Sequence, residues 1–218
     1  LKTNIMKVFY IIALITIFSE ARSQDWQPIF NGQDFSNWIH VGNGSFEIEN
    51  GMLKSQGGMG LLYYTPKKIG NAQIKILYKG ADKNNAGVFI RIPEKPTEAW
   101  MPVNKGYEVQ IDDREDEFHS TGVLYSLTRA KAKPGIPNEW NEMIITLDGN
   151  HTTVHVNEML ITDFTEGDKV PDKKLDYEPD RGPRPDVGYI GLQNHGDDDV
   201  IYFKEVSIKP LSKSSVIW

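Results

Sequence analysis

Gln73-Ile74-Lys75-Ile76-Leu77-Tyr78-Lys79 alternates, with Ile74, Ile76 and Tyr78 on one side and Gln73, Lys75, Leu77 and Lys79 on the other. Gly87 to Ile92 does the same, setting Val88, Ile90 and Ile92 against Gly87, Phe89 and Arg91. A period of two is the mark of a strand with one buried face, because successive side chains point to opposite sides of the pleat. Tyr107 to Asp112, Met143 to Leu147, Thr152 to Val156, Gly188 to Gln193 and Ile201 to Ile208 repeat the pattern. Between such runs stand Asn50-Gly51, Asp148-Gly149-Asn150 and Asn157-Glu158, turn sequences that predict antiparallel hairpins. No window of about 11 residues carries a helical period, so the chain reads as an all-β sandwich or jelly roll rather than a parallel α/β fold.

Composition narrows the function classes. The 218 residues carry a net charge of −6, contain no cysteine, and fit one globular domain. An acidic chain with scattered lysines does not suit a protein that grips the phosphate backbone of nucleic acid. Without cysteine there is no thiolate nucleophile and no Cys-ligated zinc, and a lipoprotein is not expected because no Cys stands at the cleavage site to carry the lipid. The first 23 residues stand apart from the rest. Met6-Lys7, the apolar run Val8 to Phe18, and Ala21-Arg22-Ser23 before Gln24 have the charged start, short apolar core and small-x-small site of a secretory signal peptide. Met6 reads as the initiator, and residues 24–218 as one exported domain, periplasmic or extracellular. No later segment approaches the roughly 20 apolar residues of a membrane span.

Two polar strand faces stand out. Glu108, Gln110 and Asp112 are spaced by two, so a strand presents all three on one side while Tyr107, Val109 and Ile111 enter the core. Gln193 and His195 repeat that geometry, with Gly191 leaving room for close approach. The bland reading is a solvated sheet face; the functional one is a cleft floor carrying proton-transfer groups. Arg91 on the Phe89 face is expected either to bind a substrate oxygen or to pair with Glu108 or Asp112. Tyr125 and Trp140 offer flat surfaces for sugar rings, with core burial the competing reading for Trp140. Asp197-Asp198-Asp199 is either a solvated hairpin turn or a calcium-binding turn. Two long irregular stretches, Pro93 to Lys105 and Glu166 to Asp186, are expected to be rims or lids over a site.

In sequence order, Phe30-Asn31-Gly32-Gln33-Asp34-Phe35-Ser36-Asn37-Trp38, Asn85-Ala86-Gly87-Val88-Phe89-Ile90-Arg91, Gly106-Tyr107-Glu108-Val109-Gln110-Ile111-Asp112, Thr121-Gly122-Val123-Leu124-Tyr125, Glu139-Trp140-Asn141 and Gly188-Tyr189-Ile190-Gly191-Leu192-Gln193-Asn194-His195-Gly196 resemble the 3-keto-disaccharide hydrolase family. The likeness runs from about Trp26 to Leu211. It implies a concanavalin-like jelly roll of two curved antiparallel sheets and an exported enzyme that cleaves 3-keto-glucosides by elimination, hydration or both. On that reading Glu108 or His195 is the base, Asp112 the acid or orienting group, and Arg91, Gln110, Tyr125, Gln193 and Trp140 hold the oxidised sugar. The residues name no certain cofactor, and a divalent metal that polarises the ketone fits the same chemistry. Two other functions share such a fold. One is a laminarinase-like retaining glycoside hydrolase built on Glu108 and Asp112, and the other a carbohydrate-binding module without turnover.

Overall fold

A computed structural model describes residues 25–113 and 116–211. The expected signal peptide and its cleavage point therefore lie outside the described residues. Thirteen strands and one short helix follow in order: β1 (Gln27–Pro28), β2 (Trp38–Gly42), β3 (Ser45–Glu49), β4 (Met52–Gln56), β5 (Gly60–Tyr64), β6 (Ala72–Gly80), β7 (Asn85–Ile92), α1 (Met101–Lys105), β8 (Tyr107–Asp112), β9 (Asn141–Asp148), β10 (His151–Val156), β11 (Met159–Thr165), β12 (Tyr189–Asn194) and β13 (Ile201–Pro210).

Two antiparallel sheets form the sandwich. The larger runs β11-β10-β9-β6-β13-β4-β3, with β1 also on β13; the smaller runs β2-β5-β12-β7-β8. The three expected hairpins are present, and their turn residues explain them. Asn50 and Gly51 both take positive φ (52° and 78°), as do Asn157 and Glu158 (46° and 67°). That is the geometry a two-residue turn needs to follow the right-handed strand twist.

The alternating residues meet where the periodicity requires. Ile74, Ile76 and Tyr78 of the large sheet face Val88, Ile90, Val109, Ile111, Ile190 and Leu192 of the small one in a single buried core. The opposite side of the small sheet is only partly covered. There Leu61, Tyr63, Phe89 and Ile92 form a second cluster under Met101 and Val103 of α1. The stretch Pro93 to Lys105, expected to be irregular, thus contains a one-turn helix with an apolar underside. This helix covers part of the sheet face that carries Glu108.

Arginines fasten the two long connections. Arg184 is buried beside the Tyr107 ring and donates to the carbonyls of Asn104, Gly106 and Asp180, so the α1 segment and the 166–186 segment share one anchor. Arg181 ties the same segment to Ser126 and pairs with Glu178 within it.

Candidate active site

The chain segment 120–125 folds along the free edge of β8. Gly122 N–H donates to Gln110 O, and Tyr125 N–H donates to Glu108 O. This pairing sets Tyr125 beside Glu108. The two strands β8 and β12 then bring Glu108, Gln110, Gln193 and His195 to the wall of one pocket of about 120 Å³, completed by Asn85, Val103, Tyr125, Trp100 and Tyr177. Trp100 and Tyr177 are half-exposed or more and come from the two long connections, which act as the rims the sequence suggested.

Glu108 is the unusual group. Burial raises its carboxyl to about 8, the nearby Asp112 carboxylate adds to the rise, and a hydrogen bond with Gln193 only partly offsets it. At neutral pH the side chain is therefore mostly the neutral acid, able to donate a hydrogen bond. Gly87, cross-strand from Gln110, supplies the space for it.

His195 is exposed on one side and bonded on the other, its Nδ1 lying 3.1 Å from Asp199 Oδ2. The other carboxylate oxygen of Asp199 accepts the backbone N–H of Asn85 at 2.8 Å. Burial alone raises Asp199, but the hydrogen bonds from His195 and Asn85 outweigh it and hold the carboxyl below its ordinary range. With Asp199 accepting from Nδ1–H, Nε2 is left as the basic nitrogen of the ring. Asn85 also accepts from Gln110 Nε2 at 2.7 Å, which leaves Gln110 Oε1 buried with no partner; Gln193 Oε1 is in the same condition. Two buried carbonyl oxygens without partners, on side chains that line the pocket beside a neutral acid, leave an unmet demand for hydroxyl donors there.

Three expected site residues stand elsewhere. Arg91 is fully buried between the sheets, donating to Gly149 O, His151 O, Pro185 O and Thr152 Oγ1. Strict alternation would place it on the Phe89 face. However, Tyr189 pairs with Ile92 while Gly191 pairs with Phe89, so β7 holds one extra residue there, and Arg91 takes φ 55° in that bulge. Its side chain turns inward, away from Glu108, and serves the β9–β10 turn rather than a substrate oxygen. Trp140 is neither core nor pocket: its ring lies on the outer face of the large sheet between Lys79 and Lys204, at 5.1 Å and 5.5 Å. Asp112 shares the Glu108 face but is buried outside the pocket wall. A retaining hydrolase needs two carboxyls facing one bond, and among the described residues a single carboxyl, Glu108, lines the pocket.

Sequence reading also missed residues. Asp199 was visible only as part of an acidic run, and Trp100, Tyr177 and Asn85 had no spacing to mark them. In that run Asp197 and Asp198 are exposed while Asp199 turns inward to His195; the run is not the expected hairpin, because β12 and β13 belong to different sheets and the turn carries the chain from one sheet to the other. Among the described residues no three His, Asp or Glu side chains converge as a metal cage.

The 3-keto-alpha-glucoside-1,2-lyase-like domain matches residues 25–209. The chain belongs to that family. A candidate glycosyl hydrolase from Parabacteroides distasonis is 25% identical, with a TM-score of 0.71 over 86% of this chain and 94% of that one. A Bacillus subtilis protein with a galectin-like fold gives 12% identity and a TM-score of 0.61 over 85% and 94% of the two chains. Carbohydrate-binding module CBM66 from Bacillus subtilis gives 13% and 0.56 over 79% and 95%. The last two establish the sandwich architecture alone. No protein of curated function matches the sequence. Among the described residues no helix is long and apolar enough to cross a membrane.

Proposed function

We propose that this protein cleaves the glycosidic bond of 3-keto-glucosides by elimination across carbons 1 and 2, followed by hydration. The observation that carries the reading is the pairing, in one small pocket, of a neutral buried acid, Glu108, with a carboxylate-oriented base, His195. Family membership and the likeness to a candidate glycosyl hydrolase support a carbohydrate substrate.

The chemistry follows from the ketone. A carbonyl at carbon 3 acidifies the proton on carbon 2, which His195 Nε2 removes. The negative charge that develops on the ketone oxygen is met by the Glu108 O–H, a donor that costs no reorganisation. The electron pair of the enolate then forms the C1–C2 double bond while the C1–O bond breaks, and the proton held by His195 passes to the departing oxygen. Water adds at carbon 1 as carbon 2 regains a proton, giving the free 3-keto sugar. The bare carbonyls of Gln110 and Gln193 accept ring hydroxyls, and Tyr125, Trp100 and Tyr177 provide faces for the sugar and its leaving group.

The deciding experiment compares a 3-keto glucoside with its unoxidised parent. Aglycone release and a transient enone absorbance from the ketone alone are expected; equal cleavage of both, or of neither, discards the proposal. The signal-like start further supports export with cleavage after Ser23, which the mass of the mature chain from the periplasm or medium tests.

A further inference from the structure

The outer face of the large sheet carries aromatic rings and lysines that the pocket chemistry does not use. Lys54 and Lys79 each lie 5.8 Å from the ring centre of Tyr202 on β13, and Lys79 and Lys204 lie 5.1 Å and 5.5 Å from that of Trp140. Farther along, Trp26 is flanked by Lys75 at 4.9 Å and Lys209 at 5.5 Å. From Tyr202 to Lys209 the strand advances roughly 23 Å, the length of several linked sugars. Lys54 and Lys75 are taken up by Glu49 and Glu205. Among the described residues, Lys79, Lys204 and Lys209 have no carboxylate within ion-pair distance, on a chain that is acidic as a whole.

This stripe ends in a groove of about 410 Å³ lined by Lys79, Asn84, Asn138, Asp198 and Tyr202. Asn84 accepts from Ala81 N–H and donates to Asp198 O, so its side chain is engaged within the protein, while Asn138 is held through its backbone N–H on Gly80 O and keeps its side-chain amide for a ligand. An aromatic wall, the Asn138 amide and an ammonium without a counter-carboxylate form the donor set that recognises a sugar ring carrying a carboxylate.

The geometry points to a second glycan site here, one that takes an anionic, uronate-bearing polysaccharide and is distinct from the Glu108 pocket. The ring of Tyr202 or Trp140 supports the apolar face of a sugar, and its carboxylate meets Lys79, the ammonium shared by both rings. Asp198 is the one acidic side chain in the groove and works against the ligand.

Binding is read without turnover, so failure of the proposed reaction does not touch this test. Full-length protein is run through gels containing polygalacturonate or dextran, at low and high salt, with Lys79→Ala, Trp140→Ala and Asp198→Asn alongside. Retardation by polygalacturonate alone is expected, weakened by salt, reduced by about threefold or more in Lys79→Ala and Trp140→Ala, and strengthened in Asp198→Asn. Unchanged melting temperatures and unchanged far-UV circular dichroism separate lost binding from lost fold. No retardation, equal retardation by dextran, or retardation indifferent to Lys79→Ala overturns the site.

Discussion

A Cβ added to Gly87 would lie 2.6 Å from both Cγ and Oε1 of Glu108, so the glycine is the space into which the carboxyl fits. Nothing in the backbone of Gly87 itself demands glycine, since it is not among the positive-φ residues. Gly87→Ala is therefore expected to displace Glu108 rather than break β7. Turnover should fall by about 10² or more, with a stability loss of about 1–3 kcal/mol from overpacking. Steady-state kinetics beside thermal melts check this, and wild-type turnover in the alanine variant would show that the Glu108 position is immaterial.

Burying Glu108 links stability to pH. Folding raises its carboxyl from 4.5 to about 8, so the folded protein holds an extra proton between those values. The sign follows: stability from this group is complete below about pH 4.5 and declines as pH climbs through 8, by about 1.4 kcal/mol per unit inside the window. Glu108→Gln keeps the shape and removes the ionisation. Its melting temperature should match the parent near pH 5 and exceed it by several degrees at pH 9. A constant difference across that range would mean the carboxyl is not neutral in the folded state.

The parts of this site that were legible in the sequence are those governed by a period of two. Glu108, Gln110 and Gln193 fell on the pocket side because Val109, Ile111, Ile190 and Leu192 had to enter the core. Arg91 failed the same rule because a single inserted residue reverses every later facing, and no composition signal marks that bulge. Trp140 failed for another reason: an aromatic residue before a strand carries no information about which of two sheets it will lie on. Trp100 and Tyr177 reach the pocket through connections fixed by Arg184 and Arg181, tertiary contacts with no local spacing.

Arg91 offers a direct contrast between a structural and a ligand role. Arg91→Met leaves the carbonyls of Gly149, His151 and Pro185 without this donor in the interior. The loss should be about 3 kcal/mol or more. At a temperature where the variant remains folded, KM for a 3-keto glucoside should stay within a few fold of the parent. A large rise in KM with unchanged melting would return Arg91 to the substrate.

Asp199 should act on the chemistry through His195, its Oδ1 bond to Asn85 N–H being one that an asparagine carbonyl keeps. In Asp199→Asn the amide N–H donates to Nδ1, which moves the ring proton to Nε2 and removes the base from the pocket while the side chain keeps its size. A fall in kcat of about 10²–10⁴ with little change in KM is expected. Turnover within threefold of the parent would mean that His195 needs no orienting carboxylate, and the base would have to be sought elsewhere.

The two possible roles of Glu108 leave opposite traces on the pH–rate curve. As the neutral donor to the ketone oxygen it must be protonated, so kcat/KM should fall as pH rises through about 8, where the carboxyl ionises. As the base it must be ionised, and the same curve would climb through that value. Glu108→Gln separates them again, because an amide still donates a hydrogen bond but cannot accept a proton. The donor role predicts a slower enzyme whose high-pH limb has vanished, and the base role predicts none of the parent's carbon-2 deuterium exchange. Measuring both on a substrate deuterated at carbon 2 fixes whether proton removal is the slow step. A rising limb at pH 8, joined to loss of exchange in the glutamine variant, would transfer the base from His195 to Glu108 and leave the histidine to protonate the leaving oxygen.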